Sequence, residues 1–242
     1  MRKILGILII LILVSMAGFI FWGLTPQKPS AEVNQYLSSE GSVTVRNDKW
    51  LVFIPEENPE NTGFIIYPGG HVDFRAYAPI AFQLAEKGIL VVIVPMPLNL
   101  AVMDPEAAEA VIAGYPSIDK WAIGGHSLGG AMAANYTYKY PDEISGLVLW
   151  GAYPAESNDL SNFGIPVISI SGSLDGLATP EKITSSRNLL PPDTEFLEIN
   201  GGNHSQMGWY GDQRGDLEAG ITREEQQEEL LAATWAFLTG LE

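Results

Sequence analysis

Ile89-Leu90-Val91-Val92-Ile93-Val94 is an unbroken apolar run in which five of six residues are β-branched. A run with no polar face is stable only where both faces are covered, as in a strand of a parallel sheet with helices above and below. Further runs of the same kind follow the same rule: Gly63-Phe64-Ile65-Ile66-Tyr67, Lys120-Trp121-Ala122-Ile123-Gly124, Leu147-Val148-Leu149-Trp150 and Val167-Ile168-Ser169-Ile170. Val43-Thr44-Val45 and Trp50-Leu51-Val52-Phe53-Ile54 read as an opening antiparallel pair turning at Asn47-Asp48, and Glu195-Phe196-Leu197-Glu198-Ile199 as the last strand.

Helical signals lie between the runs. A segment with Ile80 and Leu84 on one face stops near Gly88, and Asp104-Pro105-Glu106 is expected to cap and start the next helix. A helix of small residues ends before Pro141, Thr179-Pro180-Glu181 opens another, and Thr222 with Glu225 forms a capping box for a C-terminal helix carrying Leu230, Leu231, Trp235 and Leu238. The alternation predicts an α/β fold, a mostly parallel eight-stranded sheet flanked by helices. With 242 residues, 46% of them hydrophobic, the chain can bury one sizeable core.

The N-terminus follows a different pattern. After Met1-Arg2-Lys3, residues 4–24 carry no charge, and 21 residues of helix at about 1.5 Å each span a bilayer core of about 30 Å. Positive charge before the run places Arg2 and Lys3 in the cytoplasm and the rest outside. Cleavage after Ser15-Met16-Ala17 is the competing reading, but it would expose Phe19-Ile20-Phe21-Trp22 at the mature terminus. The expectation is therefore a membrane anchor over residues 1–24, with a secreted protein as the alternative. A polar linker over 25–41, with a short helix near 31–37, and a catalytic domain over 42–242 follow.

Composition narrows the partners. The formal net charge is −16, and setting aside Arg2 and Lys3 leaves −18 for the remainder. So acidic a surface repels phosphate backbones, which argues against nucleic acid, and disfavours docking on anionic lipid. The absence of cysteine excludes disulfides, thiolate zinc sites and cysteine nucleophiles. Asp212, Asp216 and Glu218 fit no Ca²⁺-loop spacing and read as a solvated acidic loop, so no metal and no cofactor is expected.

The remaining motifs carry chemistry. Gly125-His126-Ser127-Leu128-Gly129 matches G-x-S-x-G between a buried strand and a helix, the context in which a sharp turn presents a serine hydroxyl at the sheet edge. Serine needs a base to take its proton. Of the three histidines, His126 is locked inside the turn and reads as structural. His204, in Gly201-Gly202-Asn203-His204 after the last strand, is free to face the hydroxyl. The imidazole in turn needs an orienting carboxylate. Asp175, in Gly172-Ser173-Leu174-Asp175-Gly176 at the end of a strand, is preferred over Asp159, which lies before that strand. For the oxyanion, the N–H of Leu128 supplies one donor. The second is assigned to Pro68-Gly69-Gly70-His71, with Gly70 ahead of His71. Met207 and Trp209, in the loop after His204, are candidates for a wall of the acyl pocket, with simple packing onto the body as the alternative.

In this order, the Ser127, Asp175 and His204 motifs and Tyr67-Pro68-Gly69-Gly70-His71-Val72-Asp73 resemble the α/β-hydrolase superfamily, most closely the small lidless branch called alpha/beta hydrolase family 5, near the dienelactone-hydrolase-like enzymes. The likeness covers about residues 43–241. Only residues 151–165 separate the strands between which many relatives insert a cap, so an open site is expected. The implied activity is that of a carboxylesterase-type serine hydrolase acting on a small-molecule acyl substrate through an acyl-enzyme. An acyltransferase and a non-catalytic binding module are the alternatives. Asn203-His204-Ser205 is a glycosylation sequon on the proposed base, where a glycan would obstruct the site, and this favours a bacterial source.

Overall fold

The computed structural model of the protein describes residues 2–58 and 61–241. The eight expected strands are present: β1 (Val43–Asn47), β2 (Leu51–Pro55), β3 (Thr62–Tyr67), β4 (Leu90–Ile93), β5 (Lys120–His126), β6 (Gly146–Trp150), β7 (Val167–Gly172) and β8 (Glu195–Ile199). They form one sheet in the order β1-β2-β4-β3-β5-β6-β7-β8. β1 pairs with β2 and β2 with β4 antiparallel, and every other pairing is parallel.

The two-residue period of β3 divides the core. Phe64 and Ile66 join a cluster built with α2 (Ala78–Glu86) and α6 (Arg223–Thr239). Ile65 and Tyr67 join a second cluster with α3 (Ala107–Gly114) and α4 (Leu128–Lys139) on the other face. All four side chains are fully buried, each stabilising the fold by about 1.5–3 kcal/mol before entropy is counted. α5 (Pro180–Ser186) begins at Thr179, whose side chain accepts the Lys182 N–H, and α6 carries the full Thr222–Glu225 capping box.

α3 departs from expectation. It starts at Ala107, beyond Asp104 and Pro105, and Asp104 does not cap it. Its first turn is capped from the sheet instead: the Tyr67 hydroxyl accepts the Ala108 N–H at 2.7 Å and donates to the Pro105 carbonyl at 3.1 Å. Burial pushes the ionisation of this hydroxyl well up, so it stays a donor.

Between β6 and β7 the chain makes only a single short 3₁₀ turn (Glu156–Asn158), so no cap covers the sheet edge. The N-terminal helix α1 (Arg2–Gly23) projects apolar side chains that the body does not cover. Residues 25–41, expected as a linker, run along the body. Gln27 N–H donates to the His71 carbonyl at 2.9 Å, Asp73 N–H to the Gln27 carbonyl at 3.0 Å, and Ser30 N–H to the Trp209 carbonyl at 2.9 Å. Within them a 3₁₀ helix (Ala31–Tyr36) buries Val33 completely in the first core cluster.

Candidate active site

The chain leaves β3 toward β4 but leaves β5 toward β6, on opposite sides. The loops at the carboxyl ends of β3 and β5 therefore part, and such a crevice is where open α/β sheets place their ligands. Of the five non-glycine residues with positive φ among the described residues, four, His71, Leu98, Asn99 and Ser127, lie on these loops or the neighbouring one. Each such conformation costs on the order of 1–3 kcal/mol, strain characteristic of functional sites.

Ser127 occupies the turn between β5 and α4 with φ 53° and ψ −121°, held by its N–H to the Trp150 carbonyl at 3.0 Å. The motif's two glycines are required by close approach. A Cβ on Gly125 would lie 2.2 Å, and one on Gly129 2.1 Å, from the carbonyl oxygen of Tyr67 at the end of β3. Any side chain at either position would push β3 away from the Ser127 turn.

Asp175 and His204 meet beside this turn. His204 Nδ1 lies 2.8 Å from Asp175 Oδ2, and both residues are 1% exposed. The second carboxylate oxygen accepts the N–H groups of Leu177 at 2.8 Å and Ala178 at 2.7 Å, which fixes its rotation. The pair leaves His204 Nε2 buried with no hydrogen-bond partner among the described residues. His204 and Ser127 border one cavity of about 280 Å³, lined also by Leu128, Ala131, Ala152, Tyr153, Leu177 and Ala178. Gly151 makes room for the pair: φ is +49°, and an added Cβ would lie 3.0 Å from Asp175 Oδ2 and 3.2 Å from His204 Nδ1. Asp159, the alternative carboxylate, is an exposed residue whose Oδ1 accepts the Ser161 N–H.

The amides of the loop after β3 differ in availability. Gly69 N–H donates to the Tyr77 hydroxyl at 3.0 Å and His71 N–H to the Asn99 carbonyl at 2.7 Å. Gly70 N–H makes no hydrogen bond among the described residues, and Gly70 lies against the side chain of Leu128. Leu128 opens α4, where an amide has no acceptor within the helix. Of the two residues considered for the second donor, His71 is thus engaged and Gly70 is open.

His126 lies fully buried beneath this arrangement, its ring centroid 4.3 Å from that of His204 and its Nδ1 2.8 Å from the Tyr77 hydroxyl. Burial, and secondarily repulsion by a charged His204, holds its pKa well below the ordinary imidazole value, so it packs as a neutral ring. Tyr77 thereby joins the loop after β3 to the floor under His204.

Two residue groups fall elsewhere than the sequence suggested. Met207 is fully buried in the core, and Trp209 packs against the same cluster, its backbone N–H donating to the Ala76 carbonyl. Neither lines the cavity, because the loop after His204 folds down onto the 3₁₀ turn that precedes α2 (Phe74–Tyr77). Ala152 and Tyr153 after β6, and Leu177 and Ala178 after β7, form the walls instead; their one sequence signal is position at strand ends. Asp216, read as part of a solvated acidic loop, accepts the N–H groups of His204 (3.2 Å), Ser205 (2.7 Å), Gly176 (3.0 Å) and Leu217 (3.0 Å), and the Ser205 hydroxyl (2.6 Å). Partial burial opposes its ionisation. The Ser205 hydroxyl and the surrounding N–H donors outweigh that and lower its pKa. No local motif distinguishes it from Asp212.

No group of three or more metal-ligating side chains occurs among the described residues. No curated protein matches the chain in sequence. Similar solved structures include an alpha/beta hydrolase enzyme from the metagenome of Mar Chica lagoon sediments in Morocco (TM-score 0.59, 18% identity, covering 81% of this chain and 97% of that one). Est1E from Butyrivibrio proteoclasticus, solved with ferulic acid bound, gives 0.59, 14%, 79% and 97%. The esterase domain of a Rhodothermus marinus protein gives 0.57, 15%, 77% and 92%. At these identities the likeness is one of fold. Residues 63–228, which hold the Ser127 turn, the Asp175 loop and the His204 loop, match the sequence model of the alpha/beta hydrolase family, and the chain belongs to that family.

Proposed function

We propose that the protein is a serine hydrolase that cleaves a carboxylic ester with Ser127 as nucleophile, His204 as base and Asp175 as the orienting acid. The observation that carries this reading is the Asp175–His204 contact at 2.8 Å, which leaves His204 Nε2 unpartnered on the same cavity as Ser127. In the first step His204 Nε2 takes the Ser127 proton as Oγ attacks the ester carbonyl carbon. The oxyanion that forms is met by the N–H groups of Leu128 and Gly70. Collapse breaks the carbon–oxygen bond to the leaving alcohol, which takes the proton from His204. Water then gives a proton to His204, attacks the acyl-enzyme and releases the acid, and Ser127 recovers its proton.

Helix α1 serves as an uncleaved anchor, with Arg2 and Lys3 on the cytoplasmic side and the body outside. The esterase neighbours agree with ester chemistry, and the uncapped sheet edge suits a substrate whose remainder extends into solvent or lipid.

The test is hydrolysis of p-nitrophenyl butyrate by the full chain beside its Ser127→Ala and Asp175→Asn variants. Loss of turnover in the first and a fall of about 10⁴-fold in the second are expected. Equal turnover in all three, or none in any with no labelling of Ser127 by a fluorophosphonate, would overturn the assignment. Transfer of the acyl group to an added alcohol in preference to water would make the protein an acyltransferase using the same residues.

A further inference from the structure

We propose that the mouth of the Ser127 site lies on the bilayer surface and that its substrate is an acyl ester held in that bilayer; this rests on the hydrolase and anchor readings above.

The last turn of α1 packs on the active-site rim. The Trp22 ring stacks on the His71 imidazole with centroids 4.1 Å apart and planes 8° from parallel, and the Trp22 carbonyl lies 2.7 Å from His71 Nε2. Asn99 Nδ2 donates to the Gly23 carbonyl at 2.8 Å, and a Cβ on Gly23 would lie 2.8 Å from the Leu98 Cβ. From Trp22 to the nucleophile the path is short: His71 follows Gly70, Gly70 touches Leu128, and Leu128 follows Ser127.

There is no slack to lift the body away. Gln27, four residues beyond Gly23, is already bound to the His71 carbonyl and to the Asp73 amide. The few residues between reach at most about 10–14 Å when fully extended. If residues 4–23 cross the bilayer, the rim that carries Gly70 and Leu128 meets its surface.

That rim is built for such contact. Residues 95–103 form a nine-residue stretch without charge, in a chain whose remainder after Lys3 carries −18. In it Pro97 is exposed, and Val102 and Met103 are each 52% exposed beside half-buried Leu98 and Leu100. Isolated surface apolars need no explanation, but a contiguous set where an apolar helix ends marks a lipid-facing surface. So acidic a body is repelled by anionic lipid, so the apolar rim is the part that can enter a neutral or zwitterionic leaflet. The acyl chain would then pass from the leaflet into a cavity with mainly apolar walls.

The chain lacks cysteine, so a single engineered one reports on position. Met103→Cys and Asp193→Cys variants of the full chain, each carrying an environment-sensitive nitrobenzoxadiazole label, would be reconstituted in phosphatidylcholine vesicles. Asp193 is exposed and precedes β8, at the opposite end of the sheet from Ser127. Blue-shifted emission and quenching by brominated lipid at position 103 alone is the expected result. No quenching at 103, or equal quenching at both, would overturn the proposal.

Turnover supplies the second readout, as the ratio of p-nitrophenyl palmitate hydrolysed in the vesicles to p-nitrophenyl butyrate hydrolysed in water. A twelve-residue Gly/Ser insertion between Leu24 and Thr25 should lower this ratio at least tenfold. An unchanged ratio would overturn the proposal while leaving the hydrolase reading intact. Absence of butyrate hydrolysis would overturn both. Failure of the full chain to float with vesicles would remove the anchor and this proposal, with the hydrolase reading untouched.

Discussion

The backbone N–H of His204 rests on the carboxylate of Asp216 at 3.2 Å, and the same oxygen takes the N–H of Gly176, next to Asp175. One carboxylate thus ties together the loops that carry His204 and Asp175. In Asp216→Asn the amide NH₂ would oppose one of these donors and leave it unpaired, at about 1–3 kcal/mol. We expect kcat for p-nitrophenyl butyrate to fall about tenfold or more with KM little changed, and Tm to drop by several degrees, read by steady-state kinetics and calorimetry. Full activity in this variant would show that the two loops hold their places without it.

Gly151→Ala tests the space under the Asp175–His204 pair. The added Cβ would lie about 3 Å from both partner atoms, at a φ of +49° that L side chains rarely adopt. Displacing a catalytic group by about 1 Å can cost about 10²-fold in rate. A kcat loss of that order, with secondary structure by circular dichroism retained, is the expected outcome.

His126 sets a pH dependence on stability. Its folded pKa is held well below 6.5, so the unfolded chain binds a proton that the folded chain refuses as pH falls through about 6.5. Stability therefore declines from that point toward lower pH. Asp216, with a lowered carboxylate pKa, adds its own loss only below about 4. Thermal unfolding between pH 7.5 and 5 should show the decline in the parent protein and a shallower one in His126→Gln.

Trp209→Ala separates packing from substrate contact. The side chain packs against the core cluster below the site and does not border the cavity. A stability loss of about 1–3 kcal/mol with kcat/KM for p-nitrophenyl butyrate changed less than threefold is expected by denaturant titration and kinetics. A tenfold rise in KM at unchanged stability would return Trp209 to the pocket wall.

The sequence by itself determined the central strands of the sheet, because strands buried on both faces must be written as short unbroken apolar runs. It also determined the caps of α5 and α6, where the decisive contact lies within three or four residues; the glycines that flank Ser127 were legible as a motif, although the contact that requires them is with the distant Tyr67 carbonyl. Asp175 and His204 were legible as strand-end residues in the right order, and the structure brings their side chains to 2.8 Å. What crosses between loops was not legible. The Tyr67 hydroxyl that caps α3 comes from 41 residues away, and Asp216 reaches Gly176 from 40. The engagement of His71 by Asn99, the walls at Tyr153 and Leu177, and the docking of Trp22 on His71 depend on where separate loops come to rest at one sheet edge. Periodicity and capping are local, and a local pattern carries no record of which distant loop will lie beside it. The tertiary structure alone decided those.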